Sequence, residues 1–229
     1  MELWIISATH EEIDYLKVEL GAILDITLGP CTIYKTRTSN LCLAVTGIGL
    51  CSCSTSLGII CSLFNPSQVI MVGICGSYPQ SGINIGDLVV PREQILSEAG
   101  VCIGTGVGDA SVLGLEGFDQ ALDFDFKLSS ELFDLATKVS KTSSGKMLTV
   151  MGVSAHSEHV EARQNKFSPV AEDMEGFALA FAGRAFGLPV AQIRGVSNVA
   201  GDRNKANWNM ELAAKNVQLV ILEYINRKF

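Results

Sequence analysis

The feature that most constrains this chain is residues 171–203, AEDMEGFALAFAGRAFGLPVAQIRGVSNVAGDR. Phe177, Leu179, Ala180, Phe181, Ala182, Ala185 and Phe186 predict a helix that is apolar around most of its circumference and buried on more than one side. Asp173 is placed to cap this helix, and Glu175 falls in its first turn, where the helix dipole favours negative charge. Gly187 and Pro189 end the helix, and residues 190–196 follow as an interior strand that delivers Ser197 and Asn198 at its carboxyl end. In open α/β sheets that end is where ligands bind. An acid opening a buried helix and an amide closing the next strand therefore predict a ligand site.

The rest of the chain supplies layers around that unit. Periodicity predicts further strands at 2–7, 31–37, 41–46, 67–73, 88–95 and 147–154. It predicts helices at 10–20, 52–64, 129–141, a short one at 156–165, and a terminal one at 206–229. In the terminal helix Leu212, Val217, Val220, Ile221, Tyr224 and Ile225 mark the buried side. Residues 100–117 are glycine-rich and read as a long surface loop with one short strand. Strands and helices alternate without repeats or a Pro/Ser-rich linker. One α/β domain over residues 1–229 is expected, a three-layer αβα stack whose short paired strands make the central sheet mixed.

Composition excludes several classes. The net charge of −7 argues against a nucleic-acid partner, which needs a clustered basic face. No run of 18 uncharged apolar residues occurs and the start lacks a basic leader, so no membrane partner and a cytoplasmic location are expected. With 48% hydrophobic and 18% charged residues, part of the surface is expected to be covered by a second copy, in a homodimer or larger homo-oligomer. The seven cysteines contain no C-x-x-C pair and read as buried, reduced thiols. Cys51-x-Cys53 and the His156/His159 pair have ligand-like spacing but no third ligand nearby, so neither metal nor cofactor is expected.

Single residues admit two readings. Glu12 stands three residues after Thr9, which is capping-box spacing, and a catalytic role is equally open on pattern alone. Glu175 can serve the helix dipole alone, and Asn198 can be a turn residue bonding its own backbone. Gly47-x-Gly49 lets backbone approach a ligand, but no Gly-Lys-Ser/Thr follows to form a nucleotide phosphate loop.

Three segments together resemble the nucleoside phosphorylase/nucleosidase superfamily, especially its hydrolytic methylthioadenosine/S-adenosylhomocysteine nucleosidases. They are IISATHEE at 5–12; VGICGS at 72–77 with IGDLVV at 85–90; and EDMEG at 172–176 with RGVSN at 194–198. The resemblance spans nearly the whole chain in the family's order. It implies a phosphorylase/hydrolase-like fold and a purine nucleoside substrate. By the resemblance Glu12 would stabilise a ribosyl cation and activate water, Glu175 would accept the ribose hydroxyls and Met174 would pack beside the sugar. Gly76 would admit close approach, and Asn198, helped by Ser197, would hold the leaving base.

One departure bears on the substrate. The methylthioadenosine enzymes carry an aspartate where this chain has Asn198. The run SNVAGDR at 197–203 with Trp208 is instead similar to futalosine hydrolases, which remove hypoxanthine from futalosine in a menaquinone pathway. An aspartate can act as general acid at N7, whereas an asparagine keeps its protons and offers amide donors to N7 and O6 of a 6-oxopurine. The same amide can turn its oxygen toward a 6-amino group. The expectation is hydrolysis of futalosine or its 6-amino analogue, the alternatives being a methylthioadenosine/S-adenosylhomocysteine nucleosidase, a purine nucleoside phosphorylase or a non-catalytic binding module. Phosphorolysis is disfavoured because acids follow the first strand, where a phosphate-binding cation would be needed. Arg203 and Lys205 are candidates to meet a carboxylate at the far end of such a substrate.

Overall fold

The computed structural model describes residues 2–102 and 107–229. Its first half runs β1 (Leu3–Ser7), α1 (Asp14–Glu19), β2 (Ile23–Leu28), β3 (Cys31–Lys35), β4 (Leu41–Val45), α2 (Gly49–Phe64) and β5 (Gln68–Ser77). Short strands follow: β6 (Leu88–Val89), β7 (Glu93–Leu96), β8 (Val101–Cys102), β9 (Gly108–Asp109) and β10 (Ala121–Asp123). The remainder is α3 (Phe126–Ala136), β11 (Thr142–Ser143), β12 (Lys146–Thr149), α4 (Ser157–Phe167), β13 (Ala171–Asp173), α5 (Gly176–Phe186), β14 (Val190–Val199) and α6 (Met210–Lys228).

Twelve of these strands share one mixed sheet. β1 lies parallel between β4 and β5, and β14 runs parallel along the whole of β5. Alternation along β1 shows how the layers arise. Leu3 and Ile5 point into a core with α1, α3 and α6, while Trp4 and Ile6 point into a second core with α2 and α5. Both faces of the sheet are thus covered by helices, giving the three-layer αβα architecture expected.

Several boundaries differ from the sequence reading. The first helix begins only at Asp14, because residues 8–12 form a turn after the interior strand β1 in which backbone N–H groups reach the Glu12 carboxylate. The strand expected at 88–95 is two strands: Pro91 has no N–H to donate, and the chain changes partners there, from β14 to β12. β2 was absent from the expectation; it is an edge strand with Ile23 and Leu24 mostly exposed. The helix expected at 129–141 starts earlier, where Asp125 accepts the Leu128 N–H at 2.7 Å as its cap. The terminal helix starts at Met210, leaving Leu212 partly exposed on its first turn. In the glycine-rich segment β8 and β9 form a two-stranded ribbon, and residues 103–106 of that expected loop lie outside the described residues. Five cysteines are buried as expected, whereas Cys51 and Cys102 are exposed. Among the described residues no helix is long and apolar enough to cross a membrane.

Candidate active site

A cavity of about 890 Å³ opens at the carboxyl ends of β1, β5 and β14. Glu12, Gly76, Met174, Glu175, Ser197 and Asn198 all line it, so the fold brings these six sequence-predicted residues to one place.

Glu12 is buried, and its side chain is fixed by backbone donors from two segments. Oε2 accepts the N–H groups of Ala8 at 3.0 Å and Thr9 at 2.9 Å, while Oε1 accepts that of Ile74 at 2.9 Å. Only one half of the capping box forms, the Glu12 carboxylate reaching back to the Thr9 N–H. The Thr9 hydroxyl lies 3.3 Å from the carboxylate it donates to, and the helix starts two residues after Glu12. Because Ile74 belongs to β5, the carboxylate ties the turn after β1 to the strand beside it.

Glu175 occupies the N-cap position of α5 rather than its first turn, and its side chain makes no cap hydrogen bond. Its oxygens instead accept from the Gly49 N–H at 2.8 Å and from Arg194 Nη2 at 3.3 Å. Desolvation raises its pKa above the ordinary glutamate value; Arg194 opposes that shift and Asp173 reinforces it. Asp173 is not the N-cap. It ends β13, and from there its Oδ1 accepts the Gly176 N–H at 3.1 Å.

Arg194 is the participant the sequence reading missed. It is fully buried, between Asp173 at 3.4 Å and Glu175 at 3.3 Å. Burial opposes its charge, but Asp173, Glu175 and Glu12 more than offset this and hold the guanidinium above its ordinary range. Its Nε donates to Gln192 Oε1 at 3.1 Å, Gln192 donates to Gln94 at 2.6 Å, and Gln94 donates to Thr149 and Asp173. The signal for Arg194 was a lone cation inside an otherwise apolar strand, since a buried charge requires partners. Gly49, singled out in the sequence for close backbone approach, makes it to a side chain of the site: its positive φ of 87° turns its N–H toward Glu175.

Ser197 and Asn198 lie within the last rungs of β14's ladder, Ser197 as the extra residue of a bulge between Val196 and Asn198. The bulge re-aims the side chains. Asn198 Nδ2 donates to the Val199 carbonyl at 3.1 Å, and its Oδ1 accepts from the Ser197 hydroxyl at 2.8 Å. A carbonyl can only accept, so the amide group facing Val199 is the NH2. The local bonding expected of a turn residue is therefore present, and it leaves one amide hydrogen free on a cavity-lining side chain. Gly76 sits directly beside it; a Cβ there would stand 3.3 Å from Asn198 Nδ2.

At the outer end the wall includes Tyr15, Arg203, Trp208 and Lys215, with the Arg203 guanidinium over the Trp208 ring at 5.0 Å. Lys205 does not line the cavity. The His156 and His159 rings are 5.9 Å apart, and among the described residues no group of three or more His, Cys, Asp or Glu is arranged to hold a metal.

Known proteins resemble this arrangement over its whole length. The chain is 28% identical over 238 residues to a 5'-methylthioadenosine/S-adenosylhomocysteine nucleosidase of Halalkalibacterium halodurans, covering 99% of this chain and 98% of the relative. It is 26% identical over 239 residues to the nucleosidase of that name from Psychromonas ingrahamii, covering 99% of each. The Neisseria meningitidis nucleosidase in complex with methylthio-immucillin-A superimposes with a TM-score of 0.85 at 20% identity, covering 99% of both chains. Futalosine hydrolase of Helicobacter pylori gives 0.86 at 19% identity, covering 99% of this chain and 98% of that one. The sequence model of the phosphorylase superfamily matches residues 3–226, and the chain belongs to that superfamily.

Proposed function

We propose that this protein is a purine nucleosidase, using water to cleave the N-glycosidic bond. The observation that carries this reading is the convergence in one cavity of Glu12, Glu175 and Asn198, two carboxylates and an amide fixed on three different elements. In the reaction the C1'–N9 electron pair leaves with the base, and positive charge builds on the ribose. Glu12 stabilises that charge and takes a proton from the attacking water. Glu175 accepts the ribose hydroxyls, Met174 packs beside the sugar, and Asn198 donates to N7 without transferring its proton. The base acquires its own proton from solvent.

Water rather than phosphate is favoured as the nucleophile. Carboxylates outnumber cations along the cavity wall, and Arg194, the cation nearest the two catalytic acids, is engaged by Asp173 and Glu175. Phosphate entering there would meet repulsion. The rim also favours a homo-oligomer: Tyr15, Ile48, Val153 and Met210 line the cavity while standing more than a third exposed.

For the substrate, the names of the relatives favour methylthioadenosine and adenosylhomocysteine over futalosine. The orientation of Asn198 favours the second reading, a 6-oxopurine nucleoside such as futalosine, because Ser197 engages the amide oxygen that a 6-amino group would need, while Val199 takes one amide hydrogen and the other is left for the base. Arg203 and Lys215 at the outer end suit a carboxylate on the 5' substituent of either futalosine or adenosylhomocysteine. Rates of base release from methylthioadenosine, adenosylhomocysteine, futalosine and aminodeoxyfutalosine decide between them. The 6-oxopurine reading predicts that futalosine is the best of the four and that Asn198→Asp shifts preference toward the adenine nucleosides by about tenfold or more. A best rate on methylthioadenosine returns the protein to the first reading.

A further inference from the structure

The reaction as derived leaves one buried carboxylate of the cavity wall unused. Glu172 is nearly fully buried yet lines the same cavity, and none of the roles above employs it. Every group bonded to it is a donor. Oε2 accepts from the Tyr78 hydroxyl at 2.7 Å, the Ser154 hydroxyl at 2.8 Å and Arg163 Nη1 at 3.2 Å. Among the described residues Oε1 accepts only the Ser154 N–H, at 2.9 Å. A carboxylate oxygen has two lone pairs, so Oε1 retains one acceptor position.

The sheet register places this oxygen relative to Asn198. Asn198 pairs with Gly76 on one side, and Glu172 pairs with Gly76 on the other. Paired residues point to the same face, so the amide and the carboxylate flank a glycine floor at two strand spacings, roughly 10 Å apart at the backbone. That is the span of a purine ring with a hydrogen bond at each edge. An adenine meeting Asn198 through N7 would turn the N1 lone pair toward a carboxylate that can only accept. A 6-oxopurine would turn N1–H toward it. Resting on the reading of this cavity as a purine nucleosidase site, we propose that Glu172 is a specificity-determining residue that accepts N1–H and, with Asn198, selects 6-oxopurines.

The bland role for Glu172 is counter-ion to Arg163, which also donates to Glu98 at 2.7 Å and is almost fully buried. That role predicts lost stability on mutation but no change in the ratio between bases. The test is binding of free hypoxanthine, adenine and 1-methylhypoxanthine to the full chain by calorimetry, for wild type and Glu172→Gln, with thermal unfolding of both. The proposal expects hypoxanthine to bind at least about tenfold tighter than adenine, and methylation at N1 to weaken hypoxanthine by about tenfold or more. It further expects Glu172→Gln to collapse the hypoxanthine/adenine ratio to near unity. The methylated base probes the wild-type protein, so the test survives a variant that fails to fold. Tighter adenine binding, indifference to N1 methylation, or an unchanged ratio in a folded variant would each overturn the assignment. Failure of the nucleosidase reading looks different: bases would bind in the expected order, but no nucleoside would be cleaved.

Discussion

Glu175 shows at single-residue scale how the site sets function against stability. Desolvation holds its pKa above the ordinary glutamate value of 4.5, with Arg194 only partly opposing. A folded-state pKa raised above the unfolded one means that the native protein binds the proton more tightly. The stability this side chain contributes is therefore present below the ordinary value and is lost as pH rises through the raised one. The acceptance of ribose hydroxyls proposed for Glu175 needs the opposite, ionised form. The acid limb of kcat/KM is expected to lie above pH 4.5, and thermal stability should fall across the window in which activity rises. Parallel pH titrations of rate and melting temperature check this; an acid limb at or below the ordinary glutamate value would contradict it. Legibility from sequence also varied at this scale. Glu12, Glu175 and Asn198 could be named because they sit at element ends, where polar residues have few structural duties. Arg194 and Glu172 could not, because they lie inside strands. Their partners, Asp173 and Glu175 for the first and Arg163 and Tyr78 for the second, are brought near by tertiary structure.

Among the elements, the pairing of β5 with β14 does most to build the cavity. Gly73 stands opposite Arg194 in the register, and no side chain could replace its hydrogen without moving the site. A Cβ there would collide with Arg194 Nη1 and lie 2.6 Å from Glu12 Oε1. Gly73→Ala is expected to lower kcat/KM by about 10²-fold, as small misplacements of catalytic groups do. It should still leave a cooperatively folded protein, because the backbone φ at Gly73 is not in the left-handed region. Steady-state kinetics with a melting curve separate the two effects; a fully active variant would show that Arg194 and Glu12 are not held as described. The interior strands were legible as apolar runs, and α5 was legible from its glycine terminator. Element ends were less so. Residues 10–12 carry a helical pattern but are diverted, since the Glu12 bonds to Ala8, Thr9 and Ile74 outweigh one more helical turn. The split at Pro91 was visible in sequence as a residue that cannot donate to a ladder. The change of strand partner that it permits was not.

For the whole molecule, alternation of strands and helices was enough to predict three layers, because each apolar face must be buried against another element. The order of strands was not predictable in the same way. β13 pairs antiparallel with β5 and parallel with β12, a register set by long-range contacts that single-sequence periodicity does not encode. That register is what places Glu172 and Asn198 on either side of Gly76. Hydrolysis of a purine N-glycosidic bond with Glu12 as base is checked most directly by base release from the four candidate nucleosides in phosphate-free buffer. Wild type and Glu12→Gln should be compared, then wild type again with phosphate added. Free purine and free sugar are expected from wild type, with no stimulation by phosphate and a kcat lower by about 10²–10⁴-fold in the variant. Base release that requires phosphate, or that persists undiminished in Glu12→Gln, would contradict it.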